Sequence, residues 1–368
     1  MSKPPIRSSM KFVALLLMAV PALALDDIRL PPGFSIEEFA DVPKARSLAL
    51  GEQGTVFVSN RRARSVYAVV REQDGTTRTI ELLDDLNAPN GIAFHDGYLY
   101  VAEISRVTRY ANIEDNLESV PPAEVLNIEL PDKTHHGARY IGFGPDDKLY
   151  ISIGSPCNVC EEPEFGLIDR MNPDGSERET FARGIRNSVG FTWHPVSGDL
   201  WFTDNGRDML GDDLPPDELN RAPSKGLNFG FPYCHAGDIP DPRYGDGKDC
   251  DDFVPPVQQL GPHVASLGVR FYTGMQFPEE YRGQVFIAEH GSWNRSKKIG
   301  YRVTLVRLEN GVPVSYEPFA EGWLQNESVS GRPVDLLVLE DGSMLVSDDF
   351  SGKLYRISYT GTEQEGTD

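Results

Sequence analysis

Basic residues are scarce in this 368-residue chain: 35 lysines and arginines stand against 56 aspartates and glutamates, a formal charge of -21 at pH 7. So acidic a surface repels a phosphate backbone and excludes nucleic acid as a partner; the charge reads as solubility, or else as attraction for a basic protein. Long apolar runs are missing after residue 24, so no later segment is suited to span a bilayer. No G-x-G-x-x-G follows a strand and opens a helix, which removes the nicotinamide fingerprint. Cysteines number only four. Cys160 is followed by Glu161 and not by histidine, so CNVC (157–160) is not a covalent haem motif.

The single apolar run lies at the start. Lys3, Arg7 and Lys11 precede FVALLLMAVPALA, which ends in Ala22-Leu23-Ala24. This is the plan of a secretory signal over residues 1–24, and it implies a periplasmic or secreted protein. Export favours disulfides. Cys234 and Cys250 bracket a Pro-, Gly- and Asp-rich loop whose closure contributes roughly 3 kcal/mol in the chain-entropy view, and they are expected to pair. Cys157 and Cys160 are expected to form a small structural disulfide, a redox-active pair being the alternative.

What the chain has in quantity is one repeated unit. SLALGEQGTVFVSN (47–60), GIAFHDGYLYVAE (91–103), YIGFGPDDKLYISIG (140–154), GFTWHPVSGDLWFTDN (190–205), GVRFYTGMQFPEEYRGQVFIAEH (268–290) and DLLVLEDGSMLVSDD (335–349) share a plan. An apolar strand leads through a Gly, Asp or Pro turn to a strand of the Leu-Tyr-Val type and ends in a polar residue. A third strand often follows, as in SVYAVV or GKLYRISY. Six copies at periods of roughly 40 to 50 residues predict an all-β, six-bladed β-propeller over 25–359. FSIEEFADV (34–42) is expected to close the ring as the outer strand of the last blade. Residues 206–268 read as an insertion forming a site wall, and 360–368 as a flexible tail.

In a propeller, equivalent strand ends surround one opening. Here they are Asn60, Glu103, Ser155, Asp204 with Asn205, Glu289 with His290, and Asp348 with Asp349, a largely acidic ring suited to a hard cation or to hydroxyl groups. Beside it fall His135 and His136 ahead of the third hairpin, Arg186-Asn187, Trp293-Asn294-Arg295, and Arg332.

HHGARYIGFGPDDKLYISIG, ARGIRNSVGFTWHPVSGDLWFTDNG, DELNRAPSKGLNFGFP, FPEEYRGQVFIAEHGSWNR and GRPVDLLVLEDGSMLVSDDFSGKLYRI together resemble the soluble PQQ-dependent glucose/sorbosone dehydrogenase family. The likeness is greatest to its sorbosone dehydrogenase-like branch, which includes aldose sugar dehydrogenases. It runs from about residue 30 to 359, over several blades in order. It implies pyrroloquinoline quinone (PQQ) and Ca²⁺ at the central opening and oxidation of sugars. By the same resemblance His136 is the base, the preceding position being acidic in the glucose enzymes and His135 here. Arg186 and Asn187 fall at the reactive quinone oxygen. The main-chain oxygens of Gly206 and Arg207 fall on the calcium, the second position being proline in the glucose enzymes. Arg332 pairs with cofactor carboxylates. A cofactor-binding lysine of the glucose enzymes has no counterpart, and His290 or Arg295 stands in its place.

These types make chemical sense together. A tricarboxylate is held in so acidic a chain only where arginine and Ca²⁺ reverse the local field, and a neutral imidazole takes a proton as hydride leaves carbon. The sequence therefore reads as a PQQ-dependent sugar dehydrogenase passing electrons to an acceptor such as a cytochrome or quinone. A Ca²⁺-dependent lactonase on the same fold and a non-catalytic carbohydrate-binding propeller are the rivals.

Overall fold

A computed structural model describes residues 25–361, and the signal-peptide reading of 1–24 lies outside them, as does most of the tail. Each hairpin becomes the inner half of a four-stranded antiparallel blade, to which blade 3 adds the short parallel strand Leu227–Asn228, and six blades follow one another around a central channel. Blade 1 runs Leu48–Leu50, Val56–Ser59, Val66–Arg71 and Thr77–Leu83; blade 3 runs Ile141–Phe143, Leu149–Ile153, Leu167–Met171 and Glu179–Arg183. The ring closes as expected: Phe34–Asp41 pairs antiparallel with Lys353–Tyr359, Phe34 opposite Tyr359 and Asp41 opposite Lys353, so blade 6 is built from both ends of the described chain.

The second strand of a blade is buried along its length, as in Val56–Ser59, Leu149–Ile153, Leu200–Asp204, Val285–Glu289 and Met344–Asp348. A sheet packed on both faces leaves no polar side to alternate with, which accounts for the continuous Leu-Tyr-Val runs. The core is accordingly a ring of inter-blade clusters. Tyr100 and Ala102 of blade 2 meet Ile141, Leu149 and Ile151 of blade 3, for example, while Trp201 and Leu219 of blade 4 meet Val269 and Ile287 of blade 5.

The stretch 206–268 is not one insertion, which corrects the reading above. It contains two strands of blade 4, Pro216–Ala222 and Gln258–Pro262, and the true departure from the repeat is the segment between them. The strand PDELNRA lacks the apolar run of the other strands because three of its buried positions, Asp217, Glu218 and Asn220, are polar. Asp217 accepts the main-chain N–H groups of Gly206 (2.9 Å) and Ser266 (3.0 Å), and Glu218 accepts that of Ala236 (2.6 Å). Both predicted disulfides are present, Cys157–Cys160 and Cys234–Cys250.

Candidate functional site

Inner strands all enter the channel from the same mouth, so residues just ahead of them surround one opening. His136 is there, held at φ 48°, a left-handed backbone that few side chains adopt. Its Nδ1 lies 2.8 Å from the main-chain oxygen of Ser155. A carbonyl only accepts, so the ring proton belongs on Nδ1 and Nε2 keeps its lone pair. Burial, then the charge of Arg186, holds this imidazole down to about 2, so it is neutral across the working range. His135 is exposed, its ring 4.1 Å from that of His136. Gly154 makes the arrangement possible: a Cβ there would sit 2.7 Å from the Cβ of His136 and 2.9 Å from Oδ1 of Asn187. That Asn187 oxygen is buried and accepts no hydrogen bond from the described residues.

Arg186 and Asn187 are seated by a carboxylate beneath them. Asp204 accepts both main-chain N–H groups, at 2.8 and 2.6 Å, and burial, with Glu218 nearby, raises its carboxyl well above the ordinary range. The Arg186 side chain is only 5% exposed. Its guanidinium donates to Asn158 O (2.8 Å), Asn158 Oδ1 (2.9 Å), Asn205 O (3.1 Å) and Asp208 Oδ2 (3.0 Å). Gly206 and Arg207 follow in the chain. Their main-chain oxygens accept no hydrogen bond from the described residues, whereas the Arg207 side chain is turned away to a buried pair with Asp241, which also binds His235 Nε2 at 3.0 Å.

The other half of the opening is cationic. Lys44, Arg46, Arg61, Arg62 and Arg332, with the single carboxylate Asp349, line a cavity of about 120 Å³. Arg46 donates to Asn90 Oδ1 (2.7 Å) and pairs with Asp349 (2.8 Å); His290 Nε2 meets the other Asp349 oxygen at 2.9 Å. Burial alone raises the Asp349 carboxyl, but its bonds to His290 and Arg46 hold it well below the usual carboxylate range, and burial lowers His290 to about 4. Arg332 donates to the main-chain oxygens of His290 (3.0 Å) and Gly291 (3.2 Å) and lies over the Tyr301 ring. Arg61 and Arg62 make no hydrogen bond or ion pair with any described residue, and the charge of Arg61 also bears on His135 and His136, behind burial and Arg186.

His136, Arg186, Asn187, His290 and Arg332 are thus brought around one mouth, but Arg295 is committed elsewhere. Its guanidinium binds Asp212 O (3.1 Å), Lys297 O (2.9 Å) and Asp213 (2.7 Å), tying the loop after residue 206 to the blade 5 outlet. The acidic ring expected from the strand ends is also corrected. Glu103 accepts the Asn87 N–H and pairs with Arg106; Glu289 pairs with Arg302; Asp348 accepts the N–H groups of Arg332, Phe350 and Ser351. Apart from Asp348 Oδ2, which is buried and accepts no hydrogen bond from the described residues, these carboxylates are spent on main-chain and blade groups, leaving a mouth lined by cations. Sequence reading missed Lys44, Arg46, Arg61, Arg62 and Asn158. A usable signal existed: Leu48, Ile92, Ile141, Phe191, Val269 and Leu336 hold equivalent registers. Two residues ahead of them come Arg46, Asn90 and Arg139, then Val189, Leu267 and Val334. The last three form an apolar cluster, and the first three carry the polar side of the ring.

Fold and opening define the class: a six-bladed propeller with a neutral imidazole, a buried guanidinium and a cation cluster at one mouth. Residues 28–360 match the TrAA12-like family model. An uncharacterized protein of Borreliella burgdorferi is 33% identical over 349 residues, covering 90% of this chain and 91% of its own length. The chain belongs to the TrAA12-like family. Among solved structures, a calcium structure of the Trichoderma reesei Carbohydrate-Active Enzymes Family AA12 protein superposes with a TM-score of 0.79 at 20% identity, covering 93% of this chain and 100% of that one. The holo PQQ domain of pyranose dehydrogenase from Coprinopsis cinerea superposes at 0.76 and 18% identity, covering 90% and 97%. These likenesses bear out the six-bladed fold and the family resemblance drawn from the sequence.

Proposed function

We propose that the protein is a PQQ- and Ca²⁺-dependent dehydrogenase of aldoses or aldehyde sugars, forming a lactone or acid. It is exported to the periplasm or secreted, and it delivers electrons to an acceptor such as a cytochrome or quinone. No helix among the described residues is long and apolar enough to cross a membrane. The observation that carries the reading is the cation cluster: five basic side chains against one carboxylate around a cavity, in a chain of charge -21. That donor set fits a small polycarboxylate. Arg46, Arg61, Arg62 and Arg332 would hold its carboxylates. Asn187 Oδ1 and the main-chain oxygens of Gly206 and Arg207 supply the unspent acceptors from which hard-cation sites are built. Bound PQQ supplies the two-electron acceptor.

His136 takes the proton of the substrate hydroxyl, or of an aldehyde hydrate, at Nε2. Its Nδ1–H bond to Ser155 O keeps the ring oriented and steadies the imidazolium that forms. Arg186 and Arg61 lower the basicity of this ring, so an anion among the cations offsets their field and strengthens the base where it is needed. Arg186, buried and held by Asn158 and Asp208, presents a fixed positive charge without reorganisation. Next to Ser155, a cavity of about 470 Å³ offers Glu161, Arg183, Asn228 and Tyr233 for hydroxyl recognition.

The test is a titration of metal-stripped protein with PQQ and Ca²⁺, followed by a panel of aldoses with an artificial dye. Dye reduction is expected to need both additions. Lactone hydrolysis with Ca²⁺ alone, and no dye reduction for any sugar with PQQ present, would replace this reading with the hydrolase.

A further inference from the structure

The CNVC loop does more at the opening than close a small ring. Asn158, between the two cysteines, makes four hydrogen bonds there. Its main-chain oxygen and Oδ1 accept from Arg186, at 2.8 and 2.9 Å. Its Oδ1 also accepts the Asp208 N–H at 2.9 Å, and its Nδ2 donates to the Asp208 main-chain oxygen at 3.0 Å. The side-chain amide therefore pairs with both main-chain groups of Asp208, as a second peptide unit would, while gripping the guanidinium. Beneath it the disulfide touches Ser155, whose Oγ lies 3.3 Å from Cys157 Sγ and 3.5 Å from Cys160 Sγ. Ser155 in turn accepts from His136 through its main-chain oxygen and donates its N–H to Arg186 O at 2.8 Å.

We propose that Asn158, held in the ring closed by the Cys157–Cys160 disulfide, is a positioning residue that locks Arg186 and the main chain of residues 206–208 into one unit. For its catalytic meaning this rests on the function proposed above; as a statement about the chain it does not. A free loop would sample many conformations, and few of them align four bonds at once. Closing four residues with a disulfide removes most of that freedom before any partner arrives. Cys234–Cys250 is a different device: the loop 234–250 that it closes reaches this region only through Asp241, which pairs with the Arg207 side chain, and it bonds neither Arg186 nor the main chain of residues 206–208. Reduction of the first disulfide, not the second, is what loosens the opening.

Hydrogen exchange on the full chain, without metal or cofactor, tests the clamp by mass spectrometry of the peptide over 206–210. Asn158→Ala and the double variant Cys157→Ser/Cys160→Ser are expected to exchange there roughly tenfold faster, the scale of one lost hydrogen bond, with 149–153 unchanged. Asn158→Asp keeps the oxygen that accepts from Arg186 and the Asp208 N–H but sets a second oxygen against the Asp208 carbonyl where Nδ2 donated, and its exchange is expected to fall between wild type and Asn158→Ala. Unchanged exchange at 206–210 in Asn158→Ala overturns the proposal. Calorimetric Ca²⁺ titration of the same proteins separates it from the functional reading. Faster exchange in a chain whose wild type takes up no Ca²⁺ leaves the clamp standing and removes the dehydrogenase, whereas unchanged exchange with normal Ca²⁺ uptake does the reverse. With both in place, Asn158→Ala is expected to bind Ca²⁺ roughly tenfold more weakly.

Discussion

The two mouths of the channel are built from the same strands and differ in nearly everything else. At the hairpin-turn mouth, Leu48–Leu50, Ile92, Phe94, Phe143, Trp193 and Val338 line a cavity of about 350 Å³ with one guanidinium, Arg270, already committed to Tyr140 (2.9 Å) and Leu336 O (2.8 Å). At the entry mouth stand three cations without partners among the described residues, Lys44, Arg61 and Arg62, with an imidazole that has a free nitrogen and an unpartnered amide oxygen. Connection length explains the contrast. Within a hairpin the chain reverses in a few residues and its polar groups are consumed by the turn. Between blades it has room to carry side chains that the sheet does not need, so chemistry collects at that end.

The sharpest way to break this contrast is to remove the imidazole. His136→Ala is expected to slow reduction of bound PQQ by substrate roughly 10²- to 10⁴-fold, the range of a general base, with the cofactor still bound. His135→Ala, whose ring is exposed, and Thr273→Ala, which also lines the turn-mouth cavity, are expected to leave that rate within about threefold. Stopped-flow traces of the three variants decide it, and a collapse in His135→Ala alone would move the base by one residue.

A smaller effect is expected from the cation cluster. Arg332→Ala should weaken PQQ binding by about 1.5 to 3 kcal/mol, the scale of a charged hydrogen bond, with the rate largely restored at excess cofactor. Titration of PQQ against dye reduction measures this. A variant that binds PQQ normally but turns over slowly would put Arg332 among the reacting atoms instead.

The smallest effect belongs to the acids beneath the entry mouth. Burial pushes the Asp217 carboxyl up to about 6. A carboxyl raised in the fold binds its proton more tightly there than in the unfolded chain, so stability falls as pH climbs from about 4 to about 6 and is level on either side. Between pH 5 and 6 this one residue should cost the metal-free protein about 1 kcal/mol. Asp217→Asn removes that slope. Denaturant midpoints at several pH values test it, and a wild-type stability that rises over this interval would refute the assignment.

The hairpin repeat and its closing strand were legible because their cause is local. A strand buried on both faces must be apolar throughout, and the turn after it must carry Gly, Asp or Pro. The hairpin repeat placed His136, Arg186 and Arg332 beside the opening, but their roles were legible only through resemblance to a family spread over several blades, because a lone arginine in a sequence has no partner to define it. The acidic ring was misread for a reason that no composition reveals. Asp348 and Asp349 are adjacent and identical in type, yet one accepts main-chain N–H groups inside blade 6 and the other faces Arg46 and His290 across the opening. The strand ends at Asp348 and Asp349 opens the turn that follows, so position at the strand end, not residue type, decides which carboxylate meets the mouth.

The chain by itself determined the blade, the number of blades and the two disulfides, since each follows from pattern and spacing within short stretches. Only the tertiary structure decided that Arg46 and Asp349, which pair at 2.8 Å across 303 positions, belong to one site with Arg61 and Arg332, and that Asn158 reaches Asp208. Closing a ring of six blades brings their entry segments to one axis, and side chains that are solvated strangers in sequence become charges a few ångströms apart, where a Coulomb interaction is strong enough to define a site.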